Sequence, residues 1–172
     1  VPHPVLSELK DMIARFGVPF EEFDALIAAR EADFEEYDSF DMTAYARAIH
    51  APLMRMKARI LGEVADTGAL AEGFAVVGLI RAIPFYRAQA QVRMPAIQPD
   101  AVKLLCDQAG RLLAQNGRQH RYFRAHQVLA RLYVAQLDRA GYQPEHLTPL
   151  PFKELRVWWH TICAPDAGHK SI

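Results

Sequence analysis

The sequence predicts an all-α domain, on three observations. Apolar residues recur with a helical period along most of the chain, no run alternates convincingly like a strand, and proline and glycine fall where helices would start and stop. The 172 residues favour one domain with room for a real core, and 51% hydrophobic with 23% charged residues is an ordinary globular composition. The expected domain covers residues 1–163, with residues 164–172 as a flexible C-terminal tail.

Each element has its own signal. Pro4 suits the first turn of a helix running to about Phe16, with Gly17 closing it. Pro19 opens a second helix with an apolar stripe of Phe23, Ile27 and Phe34. Arg30 falls inside that stripe, so it is expected to be largely buried and paired with an acid, Asp33 being the nearest, because an unpaired buried charge is costly. A third helix over residues 41–61 places Tyr45, Ile49, Leu53, Met56 and Ile60 on one face, kinked at Pro52 and stopped at Gly62.

A fourth helix from about residue 68 contains "GFAVVGLI", apolar nearly all round, which predicts a central helix touched on several sides, with Gly73 and Gly78 admitting close neighbours. It leads into "RAIPFYRAQAQVRMP", where Pro84 is expected to interrupt it and Arg81, Arg87 and Arg93 stand without a local acid. After the break "MPAIQPD", helices fit residues 99–116 and 119–140, the second with Ala125, Val128, Leu129, Leu132 and Ala135 on one face. The connector "AGYQPEHLTPLP" precedes a last helix over residues 151–163 carrying Phe152, Leu155, Trp158, Trp159 and Ile162. The sum is roughly seven helices without an internal repeat.

The formal net charge of zero conceals an asymmetry: residues 1–41 hold 11 acids and 3 bases, residues 42–139 hold 14 bases and 6 acids. Acidic N-terminal helices lying across basic ones explain this without a ligand, and no Lys/Arg cluster is interleaved with aromatics, so no nucleic-acid partner is expected. Mean hydropathy is −0.06. Glu72 and Arg81 bracket the most apolar stretch, so no transmembrane helix is expected, while a peripheral membrane contact stays open. Cys106 and Cys163 show no metal or redox spacing and read as buried or incidental thiols.

Known catalytic signatures are missing. There is no GxGxxG after a strand, no phosphate loop, no HExxH and no GxSxG, and His120 and His126 are not spaced to share a helix face as metal ligands. The stretch "EADFEEYDSFD" holds acids at i, i+4, such as Glu31 and Glu35, which could bridge Mg²⁺ to a diphosphate but fit a solvated acidic helix end better.

Taken in order, "HPVLSELKDMIARFGVPFEEFDALIAAREADF", "YARAIHAPLMRMKARILG" and "GFAVVGLIRAIPFYRAQAQVRMP" resemble consecutive stretches of the squalene/phytoene synthase family. The last is similar to that family's second aspartate motif, roughly NxxRDxxxDxxxGRxxxP. The resemblance implies an all-α, single-domain bundle of the isoprenoid (trans-prenyl diphosphate) synthase type, with N-terminal helices of the full fold, and the other aspartate motif, expected upstream of Val1. It also locates the departures. Arg81 and Pro95 match, but the motif's Asn is Gly78, its two metal-holding aspartates are Ala82 and Tyr86, and its late Arg is Gln91. An alanine and a phenol cannot replace two carboxylates around a hard cation.

Within the family, "IRAIPFYRAQAQVRMP" and "LTPLPFKELRVWWHTI" are most similar to the non-catalytic complex I assembly factor subgroup and its bacterial relatives. This resemblance implies a protein that uses the former prenyl cavity for a protein partner or a lipid or isoprenoid ligand, in the cytoplasm or peripheral to the inner membrane. No catalytic residue, metal or cofactor is then expected. Pocket residues would be Tyr45, Arg81, Phe85, Tyr86 and Arg87, with Arg81 reaching into a central cavity toward an acid of the N-terminal helices or an anionic ligand. Its alternative is a place at the rim with a snorkelling stem. Two other readings stand beside this one: an active Mg²⁺-dependent prenyl diphosphate-condensing transferase, and an unrelated helical interaction domain.

Overall fold

A computed structural model describes residues 3–31, 41–63, 66–89, 97–115 and 120–162. These form seven α-helices and no strand: α1 (Pro4–Phe16), α2 (Phe20–Glu31), α3 (Met42–Leu61), α4 (Gly68–Gln89), α5 (Pro99–Ala114), α6 (Arg121–Arg139) and α7 (Lys153–Ile162), with a 3-10 turn at Pro144–His146 before α7. The all-α fold is as the sequence predicts.

The helix ends follow local chemistry. Asp41 caps α3 by accepting hydrogen bonds from the backbone N–H groups of Thr43 and Ala44 at 2.9 and 3.0 Å. Gly62 ends the same helix at φ 67°, the left-handed conformation that glycine adopts at little steric cost. The ring of His3 caps α1, accepting from the N–H of Val5 at 3.3 Å, and Pro4 stands in the first turn.

α4 is the centre of the bundle. Leu70, Ala71, Ala75, Val76, Val77 and Ile80 are completely buried, and α4 packs against α3, α5 and α6. By length and composition α4 is apolar enough to cross a bilayer, yet over half of that span is packed inside the protein, so it is a core helix. Gly73 is there for fit: a Cβ would lie 3.1 Å from Leu113 Cγ and 3.2 Å from the carbonyl of Ala109, so α5 crosses closest at this point. Gly78 does not repeat this, since nothing lies within 4 Å of where its Cβ would be. The expectation of a close neighbour at Gly78 is corrected.

Two further expectations change. α4 runs through Pro84 to Gln89; the proline removes one donor, but Ile80 and Ile83 in the turn before it are buried and packing holds the helix. α6 buries Phe123, Ala130, Tyr133, Gln136 and Leu137, while Ala125, Val128, Leu129 and Leu132 are only half-buried and Ala135 is exposed. The face turned to the core is therefore the one with Phe123, Ala130, Tyr133 and Leu137, with Leu129 packed at its edge. Leu155, Trp158, Trp159 and Ile162 on α7, and Phe152 just before it, are all more than half exposed.

Acidic and basic helices do meet. The guanidinium of Arg55 on α3 donates two bonds of 2.7 Å to the carboxylate of Glu22 on α2. Arg47 reaches Glu72, whose side chain is 7% exposed, at 2.7 Å.

Candidate functional site: an open strip on the central helix

Along an otherwise buried helix, one line of α4 remains accessible. Phe74, Ala82 and Tyr86 are half-buried and Gly78 is exposed, at intervals of four residues, which puts all four on one side. Arg81, half-buried, and Phe85, 58% exposed, flank that line. Gly78, Ala82 and Tyr86, the positions expected to correspond to the motif, therefore lie along one side of α4, with Gly78 exposed and the other two partly accessible. A glycine in mid-helix deepens the strip, since no side chain stands over it.

Arg81 meets no acid among the described residues. Its guanidinium carbon lies 3.5 Å from the centroid of the Tyr133 ring on α6, a cation–π contact, and its buried Nε has no hydrogen-bond partner. The expected partner was an acid of the N-terminal helices or an anionic ligand; among the described residues it is the aromatic face of Tyr133 that meets the guanidinium. Phe85 and Tyr86 meet edge to face, centroids 5.8 Å apart, with Tyr86 against the core and Phe85 outside it. Arg87, though without an acid nearby in sequence, pairs with Glu145 of the 3-10 turn at 2.9 Å.

Tyr45 packs at the edge of the same core, and its hydroxyl lies 3.5 Å from Nη1 of Arg30. Arg30 is exposed, not buried. The stripe it was assigned to does not sink into the core at its C-terminal end, where Ile27 is also 57% exposed. Asp33, Phe34, Glu35 and Arg93 lie outside the described residues, as do Pro95 and Cys163.

A second group, which the sequence did not single out, adjoins the Phe74 end of the strip. Phe74 stands between His50 of α3, centroids 6.2 Å apart, and His126 of α6, centroids 4.9 Å apart. Tyr122 stacks on His126 at 4.5 Å, and the ammonium of Lys57 lies 5.7 Å from the Tyr122 ring. Burial holds both imidazoles below their ordinary pKa, and positive neighbours add to it: Lys57, Arg30 and His126 for His50, Lys57 for His126. The only sequence signal was that Phe74 falls four residues before Gly78, on the same side of α4.

The strip does not fit a magnesium–diphosphate centre. Ala82 and Tyr86 offer no carboxylate, and among the described residues no three His, Cys, Asp or Glu side chains come together in a way that could hold a metal ion. Two clefts lie elsewhere. One of about 680 Å³ is bounded by Phe16, Glu22, Arg55, Arg59 and Asp66, and a smaller one of about 220 Å³ by Gln136, Arg139, His146 and Pro151. Neither is lined by Arg81, Phe85 or Tyr86.

An all-α bundle with a partly open strip along its central helix is the class that fold and site define. The family model of squalene/phytoene synthase matches residues 1–97, just over half of the sequence, and the chain belongs to that family. No curated protein and no solved structure matches it.

Proposed function

We propose that this protein is a non-catalytic member of the squalene/phytoene synthase family, of the assembly-factor kind, and that it binds an apolar ligand or partner along the open strip of α4. One observation carries the reading: the three motif positions Gly78, Ala82 and Tyr86 share an open face that bears no carboxylate. What the family uses for ionising a prenyl diphosphate is replaced here by a smooth apolar floor, with Arg81 turned onto Tyr133. Such a surface supports binding by apolar contact and gives no Lewis acid a place to sit. Resemblance to the complex I assembly factor subgroup supports a protein in the cytoplasm or peripheral to the inner membrane. Were the chain an enzyme, its family would make it a prenyl-transferring synthase using Mg²⁺.

Pyrophosphate release from farnesyl or geranylgeranyl diphosphate with Mg²⁺ is the test. The pure protein should release none, and Ala82→Asp with Tyr86→Asp should leave it inactive, because two carboxylates alone do not rebuild the centre. Clear Mg²⁺-dependent release by the unmodified chain overturns the proposal.

A further inference from the structure

The last helix turns an apolar face to solvent. Leu155, Trp158, Trp159 and Ile162 of α7, with Phe152 at its entry, are each more than half exposed. At the helical period these residues span about 120° of one side. On the opposite side Val157 and Thr161, one turn apart, are half-buried, and α7 packs against α6. Arg156, His160 and Lys153, all exposed, run along one border of the apolar face, and Glu154 stands at the other. Arg156 forms no ion pair among the described residues, and Lys153 meets its neighbour Glu154 only at 3.6 Å. Phe152 is a separate observation. Its backbone lies at φ 53°, a left-handed conformation that a bulky residue disfavours, yet its ring is 77% exposed, so burial of the ring does not offset that strain. The whole segment lies beyond residues 1–97, the part that matches the family model.

We infer that α7 is an interfacial helix that lies on the surface of an anionic phospholipid bilayer. Phe152, Leu155, Trp158, Trp159 and Ile162 enter the boundary between headgroups and acyl chains, and Arg156, His160 and Lys153 face the lipid phosphates. Side-chain type and charge complementarity select this occupant. An indole ring suits an apolar layer while its N–H suits wet headgroups, so two adjacent tryptophans on an exposed face fit a water–lipid boundary. The basic side chains along the border can lay their stems on the apolar layer and hold their charges among the phosphates. Ten residues are too few to cross a bilayer, so the helix lies in its plane. The inference deepens one of the two locations proposed above by naming the surface in contact, and it is independent of the α4 strip.

Trp158 and Trp159 are the only two tryptophans of the chain, so intrinsic fluorescence reads this face directly. The whole chain is titrated with vesicles of phosphatidylcholine alone and of phosphatidylcholine mixed with phosphatidylglycerol. Without vesicles the emission should be that of water-exposed indole. Anionic vesicles should shift it to the blue, and lipids brominated on the acyl chain should quench it. Partitioning onto anionic vesicles should exceed that onto neutral ones by at least about tenfold and weaken with added salt. Leu155→Asn with Ile162→Asn should lower partitioning by at least about tenfold, with helical circular dichroism unchanged, since both sites are exposed. Lys153→Gln with Arg156→Gln should lower it about tenfold on anionic vesicles only. Emission already blue without vesicles and unmoved by them overturns the inference: a second copy covers the face if the shift follows protein concentration, another part of the chain if it does not. Equal partitioning onto both kinds of vesicle overturns the anionic headgroup as partner. Anionic partitioning that Leu155→Asn with Ile162→Asn leaves intact overturns α7 as the contact, and absence of partitioning overturns the membrane itself. None of these outcomes touches the non-catalytic reading, which stands or falls on pyrophosphate release.

Discussion

Arg81 lies over the ring of Tyr133 at 3.5 Å, with its Nε buried and unbonded. One favourable and one unfavourable contribution therefore meet in the same side chain. A cation–π contact is worth about 0.5–2 kcal/mol, and a buried donor without a partner costs about 1–3 kcal/mol.

Because these oppose each other, Arg81→Met, which keeps the stem and removes the charge, should change the free energy of urea unfolding by less than about 1 kcal/mol. A double-mutant cycle of Arg81→Met with Tyr133→Leu should still show a coupling of about 1 kcal/mol between the pair. A coupling near zero would mean that the guanidinium does not use the ring.

Gly73 and Gly78 stand on the same helix and should respond oppositely to the same substitution. At Gly73 a Cβ would press on Leu113 and on the backbone of Ala109, so Gly73→Ala should destabilise by roughly 1–3 kcal/mol. At Gly78 the space is open, and Gly78→Ala should stabilise by about 0.5–1 kcal/mol through better helix propensity. Thermal unfolding of the two variants side by side decides it; a loss at Gly78 would show that something unseen occupies the strip.

Acid should weaken the fold through His50 and His126. Both have folded pKa values below the ordinary 6.5, so the unfolded chain binds protons more readily. Their contribution is complete above pH 6.5 and is lost as pH falls below it. Unfolding free energies in phosphate-free buffer should decline from pH 7.5 towards about pH 5, and the double variant His50→Gln/His126→Gln should flatten that decline. A slope unchanged in the double variant would assign the acid sensitivity to other groups.

Much of the fold was legible because helix ends are local events. Asp41 and Gly62 bound α3 by chemistry that involves only their own neighbours, and the all-round apolar pattern of α4 marks a centre whatever surrounds it. The site was legible in part: the strip of Gly78, Ala82 and Tyr86 follows from their spacing. What spacing cannot give is the identity of the facing residue. Tyr133 is 52 positions from Arg81 in the chain, and no local pattern connects them, so an acid was the natural expectation. The expected burial of Arg30 failed for a related reason: a helical stripe shows which residues share a side, but not how far along the helix a neighbour covers it. His50 and His126 were invisible as a pair, since Phe74 alone brings them together.

Cys106 sits in the packed layer formed with α4 and α6, 2% exposed, its thiol pushed up to about 11 by burial. At neutral pH such a sulfur is almost wholly protonated and out of reach, and it can be alkylated only in moments when α5 lifts away from its neighbours. In a Cys163→Ser background the rate at which Cys106 takes up an alkylating reagent is thus a clock for that opening. The central layer of the molecule carries its own reporter of how often it breathes.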